Sequence, residues 1–291
     1  MFLQQLANGI VIGAIYALTA IGYSMVYGLI RMMNFAHVDI LMFGTYLTLI
    51  LYLSGISFIV ALPLGIITGM LVAITIAAVA YIPLLERPRN ALVLTSVSAS
   101  LVLVTIAQLI FGPNVRPFPK PAILPNGIHT FSNVTINDMQ IIILVVSVVS
   151  MILLAVFVKK TRIGIAMRAT SANMIAARLV GIPVKLILYI TFAIGSMMAV
   201  IAGVLVGIYY NAVWPEMGFR LGFAAFSAAV LGGIGSMPGA MIGGFIIGLA
   251  EALGAAYISS GFRDAIGFTV LIIVLLFRPW GIMAQPETEN I

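Results

Sequence analysis

Side chains able to do chemistry are scarce in this chain and lie inside or beside long apolar stretches: Asn8, Asn34, His37, Asp39, Gln108 and Glu251. A charge at the centre of a bilayer costs roughly 2.5–3.5 kcal/mol on insertion scales. Each of these groups therefore needs a partner, a cavity or a shallow position. His37 reads either as a hydrogen-bonding group between helices or as a proton relay. Glu251, deep in a glycine-rich run, reads either as a helix–helix hydrogen bond or as a group lining a pathway. The two histidines, His37 and His129, fall in different segments and make no metal set, and the chain has no cysteine to supply a thiolate, a disulfide or a sulfur ligand. No His-Glu-x-x-His, Gly-x-Ser-x-Gly or Ser-x-x-Lys pattern occurs, and no Gly-Lys-Ser or Gly-Lys-Thr follows a glycine-rich loop. Catalytic and phosphate-cradling constellations are thus missing from the sequence.

The second chemistry-bearing cluster is basic. Lys159, Lys160, Arg162, Arg168, Arg178 and Lys185 are six of the fourteen basic residues, and none of the eight acidic ones lies among them. Thr170 or Ser171 is expected to cap a helix running to about Val180. Ile175, Leu179 and Ile182 recur at helical spacing beside the small residues Ala169, Ala172, Ala176 and Ala177. Gly181-Ile182-Pro183 is a natural stop, since glycine permits the left-handed turn and proline prevents continuation. Such a segment is either a solvated positive loop or a short helix that docks a protein. The apolar spacing favours docking.

Composition fixes what must position these groups. Of 291 residues, 63% are hydrophobic and 8% charged, and the mean hydropathy is +1.22. A soluble domain carries roughly a quarter charged residues, so this chain cannot cover itself with a wet surface. Its apolar runs suit helices of about 20 residues rather than barrel strands. The expected architecture is an all-α, polytopic membrane bundle of about eight to ten spanning or re-entrant helices. The runs cover residues 6–30, 35–53, 58–85, 91–111, 139–158 and 186–210. A glycine-rich region at 221–257, broken at 235–239, adds two short spans, and 265–277 is the last. Residues 1–30 hold no Lys or Arg, so no secretory leader is expected there. The net charge of +6 sits at the edges of apolar runs and is no signature of nucleic-acid binding.

Positive charge sets the expected orientation. If the basic segment is cytoplasmic, that side collects Arg31, Arg87, Arg89, the six residues above and Arg278, against Arg116, Lys120, Arg220 and Arg263 opposite. The amino terminus then lies outside and the carboxyl terminus inside, and Asn34–Asp39 begins the second span near the inner face. Residues 112–138, with Pro113, Pro117, Pro119, Pro121 and Pro125, form an external loop with extended stretches. That loop is either a plain connector or a docking surface, and its Asn133-Val134-Thr135 fits a glycosylation tripeptide. Gly235, Gly239 and Gly243 are spaced by four, as are Gly65 and Gly69, a pattern that lets helices approach closely in lipid. Ala-Ile precedes both Gly22-Tyr23-Ser24 and Gly195-Ser196-Met197, which is a trace of an internal repeat or a result of composition.

Three strings carry a resemblance to a known family. They are Gly22-Tyr23-Ser24-Met25-Val26-Tyr27-Gly28 followed by Met33-Asn34-Phe35-Ala36-His37, the run from Ala229 through Gly235-Ser236-Met237-Pro238-Gly239 to Gly244, and Ile247-Gly248-Leu249-Ala250-Glu251-Ala252. Together they resemble the LivH-type permeases of branched-chain amino acid ABC transporters, through nearly the whole chain. The resemblance implies a single transmembrane permease domain over residues 1–291, without a cofactor or enzymatic activity of its own. It also implies a cytoplasmic coupling loop at 159–185, in which Arg168, Ala169, Ser171, Asn173, Ala176, Ala177, Arg178, Gly181 and Ile182 meet an ATP-binding subunit. Its implied partners are a second permease of the LivM type, two cytoplasmic ATPases, an extracytoplasmic binding protein, a branched-chain amino acid and membrane lipid. The implied location is a bacterial or archaeal inner membrane. Asn34, His37, Gly235, Gly239, Gly243 and Glu251 are candidates for the path or for helix packing. Val38 departs from the family's Asn-Phe-Ala-His-Gly pattern. Urea, short amides or other amino acids are alternative cargoes, and a stand-alone secondary transporter or an intramembrane enzyme are alternative classes.

Overall fold

The computed structural model describes residues 1–85, 87–131 and 134–283. Asn133 of the glycosylation tripeptide lies outside the described residues. The chain forms α1 (Phe2–Ile30), α2 (His37–Leu53), α3 (Phe58–Ile76, prolonged by tighter and looser turns to Leu84), α4 (Arg89–Phe111), α5 (Asp138–Lys160), α6 (Arg162–Ala172), α7 (Met174–Leu179), α8 (Val184–Tyr210), α9 (Met217–Gly232), α10 (Met237–Tyr257) and α11 (Arg263–Phe277). Seven of these segments are long and apolar enough to cross a membrane, and α2 and α9 are shorter apolar helices. The nine correspond to the nine apolar runs. The α9 helix starts at Met217, earlier than hydropathy suggested, and so carries Arg220 within it. The Pro-rich loop adds an antiparallel hairpin, β1 (Ile128–Phe131) with β2 (Val134–Asn137), to an otherwise all-α fold.

Burial ranks the helices. The most apolar window of α1 is 94% buried and that of α8 is 78%, whereas the windows of α4 and α11 are 17% and 11% buried. The α1–α8 pair is therefore the core, and α4 and α11 leave most of their apolar surface uncovered by the rest of the described chain. Close approach in the core depends on missing side chains. A Cβ on Gly248 would run into the backbone of Gly13, and one on Gly244 into that of Ala17, so α10 lies directly on α1.

The two ends of the bundle differ. At one, Gln4 Nε2 donates to the Thr135 carbonyl at 2.9 Å while its Oε1 accepts from Thr135 N–H at 2.7 Å, tying α1 to the hairpin. Asn137 and Gln140 form a reciprocal capping box that starts α5 there. At the other, basic end, the Ser171 hydroxyl donates to the Gly28 carbonyl, and Gly235 N–H donates to Ser24 Oγ at 3.0 Å. Ile282 and Met283 N–H groups reach the carbonyls of Leu231 and Gly232 at this same end. The two termini of the described chain thus lie at opposite ends of the bundle.

One pattern occurs twice, in opposite directions. The α1 helix ends at Arg31 in a left-handed conformation (φ 54°), residues 31–36 turn back into the bundle, and α2 begins at His37. The α8 helix ends at Asn211 in the same conformation (φ 50°), residues 211–216 turn back, and α9 begins at Met217. Arg31 and Asn211 are the non-glycine residues with positive φ among the described residues. His37 packs against Gly195, near the middle of the 27-residue α8. Thus α2 starts at mid-height of the bundle, not near its inner face as the charge pattern suggested. The difference arises because the Arg31 cap turns the chain inward, where Met32, Asn34 and Ala36 are buried. Gly218 lies against the Val38 carbonyl, so α9 also starts at mid-height.

Candidate functional site

A cleft of about 450 Å³ opens where the two short helices begin. Its floor is Tyr23, Phe35, Val38 and Asp39. One wall is Val97, Ser100, Leu101 and Val104 of α4, and the other is Glu216, Phe219, Gly222, Phe223 and Phe226. A Cβ on Gly222 would stand 2.6 Å from Val38 Cγ2. The valine that departs from the family pattern thus fills the space that glycine leaves open, and α9 still seats on α2. Asp39, in the first turn of α2, is 2% exposed, and its Oδ2 has no hydrogen-bond partner among the described residues. An ionisable group inside a membrane bundle marks a functional site unless it is paired. Asp39 was legible as an ionisable residue in an apolar run, but sequence alone did not place it in the candidate set.

Asn34 and His37, which were in that set, lie behind this floor. Asn34 Oδ1 accepts from the Tyr81 hydroxyl at 2.7 Å, fastening the return segment to the end of α3. His37 is 1% exposed, tilts against Tyr23 at 4.9 Å between ring centroids, and occupies a socket formed by Gly22 and Gly195. Its Nε2 makes no hydrogen bond among the described residues. Packing between helices, rather than an interhelical hydrogen bond, is what the geometry gives it.

Glu251 is a junction. Its Oε2 accepts from the Tyr16 hydroxyl at 2.7 Å and from Arg263 Nε at 3.0 Å, joining α10 to α1 and α11. It also borders a second cavity of about 480 Å³, together with Arg220, Ser227, Asp264 and the rings of Phe219, Phe223 and Phe268. Gly239 and Gly243 seat α10 on Gly232 and Ala228 of α9, and Gly235 (φ 90°) makes the turn between them. These three glycines pack helices and border neither cavity.

The basic segment forms two helices instead of one. Asn173, not Thr170 or Ser171, is the cap: its Oδ1 accepts from the N–H groups of Ile175 (3.0 Å) and Ala176 (2.9 Å) and starts α7. Thr170 Oγ1 bonds back to the Ala166 carbonyl at 2.8 Å, and the Ser171 hydroxyl is taken by Gly28. The α7 helix ends as expected. Gly181 has φ 85°, its N–H reaches the Arg178 carbonyl, and Ile182 N–H reaches that of Ala177, the paired bonds of a Schellman motif. Ala177 and Ile182 turn inward, whereas Ile175, Leu179 and Val180 are 73%, 84% and 76% exposed. Arg168 and Arg178 flank this apolar knob on the exposed surface, with Ala169 partly covered beneath and Ala176 open.

A helical bundle with two inverted, mid-height helix starts around a cleft, and with a protruding knob at one end, defines a multi-pass membrane permease. Residues 5–275 match the family described as branched-chain amino acid transport system / permease component. The chain belongs to that family. It is 40% identical to the high-affinity branched-chain amino acid transport system permease protein LivH of Escherichia coli K12, covering 100% of this chain and 98% of the relative. It is 39% identical to BraD of Pseudomonas aeruginosa over the same shares, and 29% identical to a probable LivH of Methanocaldococcus jannaschii over 95% of this chain and 91% of that one. Among solved structures, the fold resembles a chain of PsaBC from Streptococcus pneumoniae in complex with Fab, with TM-score 0.51, 14% identity, and coverage of 94% of this chain and 91% of that one.

Proposed function

We propose that this chain is a transmembrane subunit of an ATP-driven importer of leucine, isoleucine and valine in a bacterial or archaeal inner membrane. The observation that carries the reading is the end-to-end similarity to permeases named for high-affinity branched-chain amino acid transport. The cleft at mid-height supports it. At about 450 Å³ it falls within the range of small-ligand sites, and its lining is mostly aliphatic and aromatic.

In this reading the cleft faces a second, related permease, and the two chains enclose the path. The basic end is cytoplasmic by the excess of Lys and Arg there, which places the carboxyl terminus inside. The α6–α7 segment is the coupling loop: its apolar knob enters a groove on one of two ATP-binding subunits, and the flanking arginines meet acidic rims. An extracytoplasmic binding protein delivers substrate at the end formed by the Pro-rich loop. ATP hydrolysis belongs to the partner subunits.

The test is uptake of radiolabelled leucine by cells lacking their own transporters and expressing this chain with its neighbouring subunits. Saturable uptake that excess isoleucine and valine abolish, and that disappears when the ATPases lose their catalytic residues, supports the reading. Uptake of urea or an amide, with no competition by the three amino acids, moves the assignment to those cargoes.

A further inference from the structure

We propose that Asp39 receives the ammonium group of the amino acid in transit. This chain's half of the path then recognises the ammonium and the apolar side chain, and the substrate carboxylate is left to the partner permease. The proposal rests on the importer reading above. Asp39 Oδ2 is a buried acceptor at the floor of the cleft with no hydrogen-bond partner among the described residues. The groups around it are of one kind. Tyr23, Phe35 and Phe226 present aromatic rings, Ser100 a hydroxyl, and Glu216 a second carboxylate, which Gln108 Nε2 holds at 3.1 Å. No Lys, Arg or His is among the described residues that line the cleft.

Two carboxylates, aromatic faces and no cation attract an ammonium group and repel a carboxylate. The carboxylate stands in the first turn of α2, where it faces the helix's positive end. An amino acid carries both charges, so one half-path of this composition leaves the substrate's carboxylate unmatched. The matching cation must come from across the open face of the cleft, where the α4 and α9 side chains Leu101 and Phe219 are 65% and 64% exposed. In the state described, Oδ2 is closed to solvent beneath these walls, so the ammonium reaches it when α4 and α9 part.

The experiment uses the complete transporter in membrane vesicles, and the chain's lack of cysteine makes a single-thiol reporter possible. Asp39→Asn keeps the shape and removes the charge. Leucine uptake by this variant should fall about tenfold or more at equal abundance of chain and ATPases, the effect of losing a charge-assisted hydrogen bond. In a Val104→Cys background, a cationic thiosulfonate should label about tenfold faster than an anionic one, leucine should slow both, and Asp39→Asn should erase the preference. Unchanged leucine uptake by Asp39→Asn overturns the proposal. If Asp39→Asn fails to assemble, the Val104→Cys labelling decides alone, and equal rates for the two reagents without leucine protection overturn it. Wild-type vesicles that take up no branched-chain amino acid sink the importer reading itself, an outcome separate from either of these.

Discussion

Gly22 of α1 and His37 of α2 form a socket and its plug: a Cβ placed on Gly22 would stand 2.7 Å from His37 Nε2. The same Cβ would stand 2.7 Å from the Gly195 carbonyl of α8. Three segments therefore meet where only a hydrogen atom fits, at the height where α2 begins. Gly22→Ala should destabilise the protein by about 1–3 kcal/mol, the usual cost of overpacking a core. Adding His37→Ala should recover part of this, with a coupling of about 0.5–1 kcal/mol, because the Gly195 backbone still blocks the site. Thermal unfolding of the detergent-solubilised single and double variants checks this. Strict additivity would show that the two residues do not share the socket.

Glu251 allowed two readings, helix pin or path lining, and its geometry supports the pin. Removing one member of a buried ion pair costs about 3–5 kcal/mol because the other charge is stranded. Glu251→Ala should therefore remove most folded protein from the membrane, while Tyr16→Phe, which deletes one hydrogen bond, should cost about 1–2 kcal/mol. Fluorescence-detected size exclusion of both variants measures this. Tyr16→Phe should leave leucine uptake close to normal once corrected for the amount of chain. A Glu251→Gln protein of normal stability but without uptake would return Glu251 to the path.

The helices were legible because apolar runs of near-membrane length leave little freedom, and Gly181 was legible as a stop because few residues accept φ near 85°. What the sequence hid depends on tertiary competition. Thr170, Ser171 and Asn173 are all competent caps; the Ser171 hydroxyl is diverted to Gly28, and Asn173 takes the role. Mid-height placement of His37 was equally hidden, since hydropathy reports that a residue lies in the membrane but not that the chain doubled back to reach it. Asp39 was visible as a charge in an apolar run. Its lack of a partner is a statement about the surrounding helices, which one sequence does not contain.

Gly239, Gly243, Gly244 and Gly248 of α10 leave no room for a methyl group, whereas Gly261 beyond its end does. Gly248→Ala would force a Cβ onto the backbone of Gly13, and backbone cannot rotate away. A destabilisation of about 1–3 kcal/mol is expected. Gly261→Ala, beyond the end of α10, would meet only Ser259 Oγ at 3.7 Å and should stay within about 0.5 kcal/mol of the parent. Equal unfolding midpoints for the two variants would contradict the direct α1–α10 contact.

The apolar knob on α7 gives the sharpest test of coupling, because its outward side chains contribute little to the fold. Leu179 is 84% exposed, so Leu179→Glu removes almost no buried contact and should leave the unfolding midpoint within about 0.5 kcal/mol of the parent. If the knob fills a groove on an ATPase, a buried charge there should cost 2 kcal/mol or more of binding, roughly a 30-fold loss of affinity. Leucine-dependent ATP hydrolysis and uptake should then fall together, with the chain still present in the membrane. Ala176→Glu, on the open side of the same helix, should act likewise. Gly181→Pro is a poorer probe: proline cannot adopt φ 85° and would delete the N–H that reaches the Arg178 carbonyl, so it unravels the helix end as well as its contacts. Normal uptake by a stable Leu179→Glu variant would leave the basic end a solvated loop. Loss of uptake at unchanged stability requires that something outside this chain reads the knob.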